Sequence, residues 1–318
     1  MRRGATVTCI AVLACLGVWL GRGWATSAPD NEPRTQQPTV AAFRAKRFGL
    51  EKRTATLQRR VAALEVALET THATNAASAS ATGNMRSEFS KLRAELPGDV
   101  GVAFGPPGGR VTVLGSLTTG PAWSTMKVPV AIAFVRQTGA ASEIARRAIT
   151  LSDNAAAMAL WNTLGASTAT RVARVQQVLA DGGDRATRVQ GRVLRAGFTP
   201  FGQTIWSLGA QQSFAARLPC IRGAGQILTL MGQIDPSQRW GLGRVGTRPL
   251  FKSGWGPSPA GAYLVRQFGL IHVRSGTVAV SIAAQPADGS FVTGTRYLDR
   301  LARWVAAHAA GGQAPVCR

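Results

Sequence analysis

Residues 248–285 read RPLFKSGWGPSPAGAYLVRQFGLIHVRSGTVAVSIAAQ. Three stretches rich in β-branched and aromatic residues, RPLFKSGW, GAYLVRQFGLIHV and TVAVSIAAQ, are separated by Gly/Pro/Ser turn chemistry, which predicts three antiparallel strands in succession. Upstream, DVGVAFG (99–105) and RVTVLGS (110–116) flank a Pro-Pro-Gly-Gly turn and read as a hairpin. Between these strand groups the pattern is helical. One helix begins near Ser124, a second runs through EIARRAIT and SDNAAAMALWNTLG (143–165), a basic one spans Thr168 to Leu194, and another is capped by Ser207. A last helix is expected over Thr295–Ala310. Strands at both ends and helices between them predict an α/β (α+β) domain. Its antiparallel sheet is completed by both ends of the chain and flanked by helices, with a cleft between sheet and inserted helical lobe.

This domain is expected to occupy residues 85–318, opening with a helix from Arg86 to Leu96 that Pro97-Gly98 breaks. Residues 1–28 differ in kind. Met1-Arg2-Arg3 precedes an uncharged apolar stretch from Gly4 to Gly21, the pattern of a signal peptide or a short N-terminal membrane anchor, with Thr26-Ser27-Ala28 as a fair cleavage site. Leu13-Ala14-Cys15 is a weak lipoprotein signal. Either way the bulk of the chain is expected to be extracytoplasmic, membrane-anchored or secreted. Residues 29–84 read as a stalk and linker. Leu50, Leu57, Val61, Leu64 and Leu68 share one helical stripe flanked by Arg59, Arg60 and Glu65, which fits either a self-pairing stalk or a helix lying on membrane or domain. THATNAASASATG (71–83) lacks large apolar residues and reads as a linker.

The net charge of +22 splits as +7 before residue 99 and +15 from there on, and arginine supplies 32 of the 37 basic groups. Such a balance attracts polyanions in general. Export and the absence of a compact reader motif argue against nucleic acid as the partner. Cys9 and Cys15 lie in the apolar segment, so Cys220 and Cys317 are expected to form one disulfide in an oxidising compartment. Neither has the Cys/His company of a metal site, and no cofactor motif is present.

Three short strings carry the chemistry. In Ser124-Thr125-Met126-Lys127 the serine and lysine lie three apart on one helical face, among apolar Val128, Pro129, Val130, Ile132 and Phe134. A lysine in so desolvated a place loses its proton near neutrality and activates a hydroxyl. In Ser152-Asp153-Asn154, Ser152 can relay a proton and Asn154 offers an amide to substrate and to Lys127, while Asp153 is expected to face away; alternatively the string simply caps a helix. In Lys252-Ser253-Gly254-Trp255, Lys252 and Ser253 can hold a substrate carboxylate, Gly254 permits close approach, and the backbone amides of Ser124 and Trp255 can form an oxyanion pair. A lysine on an edge strand is otherwise ordinary protection against sheet pairing.

In this order STMK, SDN and KSG resemble the S-x-x-K, S-D-N and K-T-G signature of class A beta-lactamases and penicillin-binding proteins. The resemblance spans about residues 86–310 and implies that superfamily's fold and its serine acyl-transfer chemistry. It makes Ser124 the nucleophile, Lys127 the base, Ser152 the relay, Asn154 a substrate ligand, and Lys252 with Ser253 the carboxylate clamp. Two departures matter. Ser124 and Ser152 are only 28 positions apart, which implies a reduced lobe, and no glutamate follows Glu143 to serve as the deacylating base. Asp181 and Asp184 lie in DGGDR, which reads as an exposed turn.

Acylation is therefore better supported than turnover. The expected function is an exported serine acyl-transferase or hydrolase acting on D-alanyl peptides of the cell wall, or binding beta-lactams. The alternatives are a beta-lactamase with weak or non-class-A deacylation, a silent cell-envelope scaffold, and an esterase or amidase whose apolar pocket uses Trp255, Phe201 and Trp206.

Overall fold

The computed structural model describes residues 39–313 and Cys317. Two compact units divide between His72 and Ala73.

The first regular element is α1, Val40–Ala94, a continuous helix of 55 residues. The tract 71–83, expected to be a linker, is helical backbone within it. The reason is composition. Alanine is the best helix former, serine and threonine cost only tenths of a kcal/mol each, and no proline interrupts the run. The predicted helix from Arg86 is the end of this element, and it stops at Ala94, ahead of Pro97. The membrane-crossing segment expected at 4–21 lies outside the described residues. The transmembrane assignment is corrected to this extent: among the described residues no helix is long and apolar enough to cross a membrane.

The hairpin follows as β1 (Gly98–Gly105) and β2 (Thr112–Gly115), then a short strand β3 (Thr119–Pro121). A 3₁₀ turn, Trp123–Met126, runs directly into α2 (Lys127–Thr138). Next come α3 (Glu143–Arg146), a π-helical turn Arg147–Leu151, α4 (Asn154–Thr163) and α5 (Thr168–Asp181). Two predicted helices are thus shorter than expected. The one read through 143–165 breaks at Ser152-Asp153, because Asp153 caps α4 by accepting a hydrogen bond from Ala156 N. The one read to Leu194 ends at Asp181, where Gly182 and Gly183 follow.

A short β4 (Ile205–Ser207) pairs with β3, and Ser207 caps α6 (Leu208–Arg217); α7 covers Ala224–Met231. The predicted strands appear as β5 (Thr247–Pro257), β6 (Tyr263–Val273) and β7 (Gly276–Pro286), closed by α8 (Phe291–His308).

The main sheet has the order β2-β1-β7-β6-β5, every neighbour antiparallel, so the first and last strand groups meet where β1 pairs with β7. Helix α8 covers one face and α6 the other. The α6 face is filled by Trp206, Phe214 and Phe268, with ring centroids 5.5–6.1 Å apart, and on the α8 side Trp304 meets Phe89 and Phe104 edge-on. Phe201 and Trp206 are fully buried core residues, which removes them from the apolar pocket proposed for them. Strand β5 is one edge of the sheet, β2 being the other, and lies against the 3₁₀ turn that carries Ser124.

Candidate active site

Two backbone irregularities help bring the three strings together. Among the described residues only Trp123, Ser152 and Arg248 are non-glycines with positive φ, and the first two stand in the site. Each such conformation costs of order 1–3 kcal/mol, so the surroundings must hold it. Trp123, at φ 48°, turns the chain from β3 into the 3₁₀ turn. Its indole packs on Phe198 and on Gly256, where an added Cβ would come within 2.7 Å of the ring. Residues three apart eclipse in a 3₁₀ turn, so half-buried Ser124 and fully buried Lys127 share a face.

Ser152, at φ 59°, reverses the chain between the π-helical turn and α4. The reversal directs both of its oxygens and the Asn154 side chain to one point. Lys127 Nζ donates to the Ser152 carbonyl, to Asn154 Oδ1 at 2.8 Å, and meets Ser152 Oγ at 3.3 Å. Asp153 faces away, capping α4 and pairing with Arg147.

Lys252 reaches the same hydroxyl from the sheet. Its Nζ donates to Ser152 Oγ at 3.0 Å and to the Ser253 carbonyl at 3.1 Å. Ser253 is not beside it. Neighbouring residues on a strand point to opposite faces, and the Ser253 hydroxyl, fully buried, accepts from Gln267 Nε2 at 2.9 Å on the α8 face. The pairing of Lys252 with Ser253 as a carboxylate clamp is corrected accordingly; the sheet's alternation was already a sequence-level signal against it. Gly254 returns to the Lys252 face. A Cβ there would lie 2.8–2.9 Å from Ala122 O, Ser124 N and Thr125 N, so only glycine lets β5 come this close to the turn.

Both lysines are fully enclosed, and burial dominates their electrostatics. It lowers the Lys127 pKa to about 7, against a partial opposing effect of the Asp153 carboxylate. Burial, and then the charge of Lys127, push Lys252 well below the ordinary lysine value. Near neutrality Lys127 thus has a lone pair available.

The cleft in front of Ser124 has a volume of about 300 Å³. Asn154 and Trp255 are in its wall together with Trp123, Phe198 and Tyr263, aromatic residues that the sequence reading did not single out. A bulky residue directly before Ser124 was an available signal for Trp123; nothing in the local sequence marks Phe198. No Asp or Glu among the described residues lines this cleft. Asp181 pairs with Arg136 at 2.7 Å. Asp184, expected in an exposed turn, is buried: its carboxylate accepts from Ala186 N, Thr187 N and, at 2.8 Å, Trp206 Nε1. Cys220 and Cys317 form a disulfide. No cluster of three His, Cys, Asp or Glu among the described residues could hold a metal ion.

No family model matches the sequence, and no curated protein matches it either. Solved structures do. A beta-lactamase from Chitinophaga pinensis DSM 2588 superposes with TM-score 0.57 at 15% identity, over 70% of this chain and 98% of that one. For the TLA-1 extended spectrum beta-lactamase the values are 0.59, 13%, 71% and 98%, and for a class A beta-lactamase from Mycobacterium abscessus 0.54, 15%, 70% and 97%. With nearly the full length of each neighbour matched by sheet and helices alike, this chain has the beta-lactamase/transpeptidase-like fold.

Proposed function

We propose that the folded domain is an exported serine acyl-transferase or hydrolase that opens the amide of a D-alanyl peptide or a beta-lactam through a Ser124 acyl-enzyme. The observation that carries this reading is the Ser152 hydroxyl held between two buried amines, Lys127 and Lys252, the first of which stands three residues from Ser124 on the same turn. Neutral Lys127 takes the Ser124 proton as the Ser124 Oγ–carbonyl bond forms. The N–H groups of Ser124 and Trp255 receive the oxyanion, a placement supported by the contact of Gly254 with Ser124 N. The proton then passes through Ser152 to the leaving nitrogen as the carbon–nitrogen bond breaks, and Asn154 holds the acyl side chain. Of the two residues read as a carboxylate clamp, only Lys252 keeps its part, as a hydrogen-bond donor beside Ser152.

The carboxylate-free cleft supports a long-lived acyl-enzyme over rapid hydrolysis. The fold neighbours named as beta-lactamases support the substrate class, and the Cys220–Cys317 disulfide supports an oxidising, extracytoplasmic compartment. Intact-mass measurement of the protein incubated with a fluorescent penicillin and with D-alanyl-D-alanine peptides tests the reading. A persistent adduct that disappears in Ser124→Ala is expected. Fast drug loss without an adduct contradicts the long-lived intermediate, and a folded protein giving neither adduct nor turnover contradicts the acylation itself.

A further inference from the structure

From Val40 to Leu68, helix α1 carries large apolar side chains that stay exposed: Phe43, Leu50, Leu57, Val61, Leu64 and Leu68 are all more than half exposed. We infer that this segment pairs with the same segment of a second copy of the chain, as a parallel, in-register two-stranded coiled coil.

The heptad is complete once it is phased on the leucines. Phe43, Leu50, Leu57 and Leu64 are seven apart and take the d positions; Val40, Arg47, Thr54, Val61 and Leu68 take the a positions. Leucine at d with β-branched residues at a is the combination that favours two parallel strands, while Arg47 and Thr54 weaken the seam and restrict its register. Apart from Phe48 and Val66, the exposed large apolar residues of this segment fall on two positions in seven, a stripe narrower than the face a helix needs to lie on a domain or a bilayer.

Charge decides the partner and its direction. The g positions Lys46, Arg53 and Arg60 are basic and Ala67 is neutral, whereas of the e positions Glu51 and Glu65 are acidic, Gln58 is neutral and Arg44 is basic. In a parallel pair each g residue faces the e residue five places further along the other helix, so Lys46 meets Glu51 and Arg60 meets Glu65, once from each side. An antiparallel pair would set g against g and bring the basic groups together. In the single chain Glu51 is occupied only by an exposed bridge to Arg47, which stabilises little and is readily exchanged.

Cysteine cross-linking of the full chain in mild detergent tests this, in a background carrying Cys9→Ser and Cys15→Ser. Leu50→Cys, Leu57→Cys and Leu64→Cys are each expected to give a disulfide-linked dimer on mild oxidation, and Val66→Cys, on the far side of the helix, to give none. Adding Glu51→Lys with Glu65→Lys to Leu57→Cys should abolish that dimer, and further adding Lys46→Glu with Arg60→Glu should restore it. A dimer at only one of the three leucine positions signifies antiparallel pairing and overturns the inference. Equal cross-linking at Val66, no cross-linking at any leucine position, or indifference to charge reversal also overturns it.

Discussion

A hydroxyl has one proton to give and two lone pairs to offer, and at Ser152 the neighbours decide how they are used. Lys252 has no acceptor of its own to present when protonated, so it donates to Ser152 Oγ, and the Ser152 proton is free to turn toward Lys127. Lys127 can receive it only when neutral, with its own N–H groups directed at the Ser152 carbonyl and Asn154. The pKa of about 7 therefore has two consequences. Acylation by a penicillin should rise about tenfold from pH 6 to pH 8 as Lys127 is deprotonated; a flat profile there would remove Lys127 as the base. Stability should follow the same group. Below about pH 7 folded and unfolded chains both hold the proton and the burial cost is constant. Between about 7 and the ordinary lysine value of 10.5 the unfolded chain binds the proton and the folded one does not, so stability rises with pH, by up to ~1.4 kcal/mol per unit. Denaturation curves of Lys127→Met should lack that contribution, and parallel curves for the two proteins would sink the assignment. Such chemistry was legible from residue type and spacing, since Ser124 and Lys127 three apart can hardly avoid sharing a face. The positive φ of Trp123 and Ser152 was not, because a serine or tryptophan in that conformation is held there only by tertiary contacts.

Among the elements, the segment from Gly182 to Thr204 has the short 3₁₀ turn Phe201–Gln203 and no long ladder, so most of its backbone must find partners elsewhere. Side-chain amides take that part. Gln176 joins Thr187 O and Val189 N, and Gln203 Oε1 accepts from Arg195 N at 2.7 Å, while Thr204 Oγ1 accepts from Gln190 N. Asp184 fixes the beginning of the segment to Trp206 in the core, and its end supplies Gly197, Phe198 and Thr199 to the cleft wall. Asp184→Ala would leave the buried Trp206 indole N–H and two main-chain N–H groups without an acceptor. A loss of about 2–4 kcal/mol is expected by denaturant unfolding, with Asp184→Asn, which keeps an acceptor oxygen, losing less. An alanine variant as stable as the parent would show that the carboxylate does not hold the segment. The paired glycines at 182–183 could have ended the predicted helix at Asp181, and Ser-Asp-Asn, all cap-forming residues, could have divided the helix at 152. The burial of Asp184 had no such local signature, since it depends on Trp206, a residue 22 places away.

For the domain from Ala73 on, the sheet is closed by contacts remote in sequence: β1 pairs with β7, and the chain beyond α8 returns to the β6–β7 hairpin. There Gly312 N donates to Thr277 O at 2.9 Å and Thr277 N to Gly312 O at 2.8 Å, and Gly311 N donates to Ser275 Oγ. Three such bonds on a chain end hold weakly by themselves, because termini fray when nothing ties them down. The Cys220–Cys317 bond supplies the tie, joining this end to the segment between α6 and α7 across 97 residues of sequence. Cross-linking over so long a loop acts mainly on the unfolded chain, and loss of a native disulfide of this kind costs about 2–5 kcal/mol. In a domain of this size that corresponds to a fall in Tm of roughly 5–15 °C. Cys220→Ser with Cys317→Ser should show that fall, and a reducing agent should reproduce it in the parent while leaving the double variant unmoved. The proposed acylation site lies on other elements, so penicillin labelling of Ser124 below the lowered Tm should persist in the double variant. Equal Tm values for parent and variant would mean that strand pairing alone closes the domain. A reductant that shifts both equally would place its effect elsewhere than on this bond.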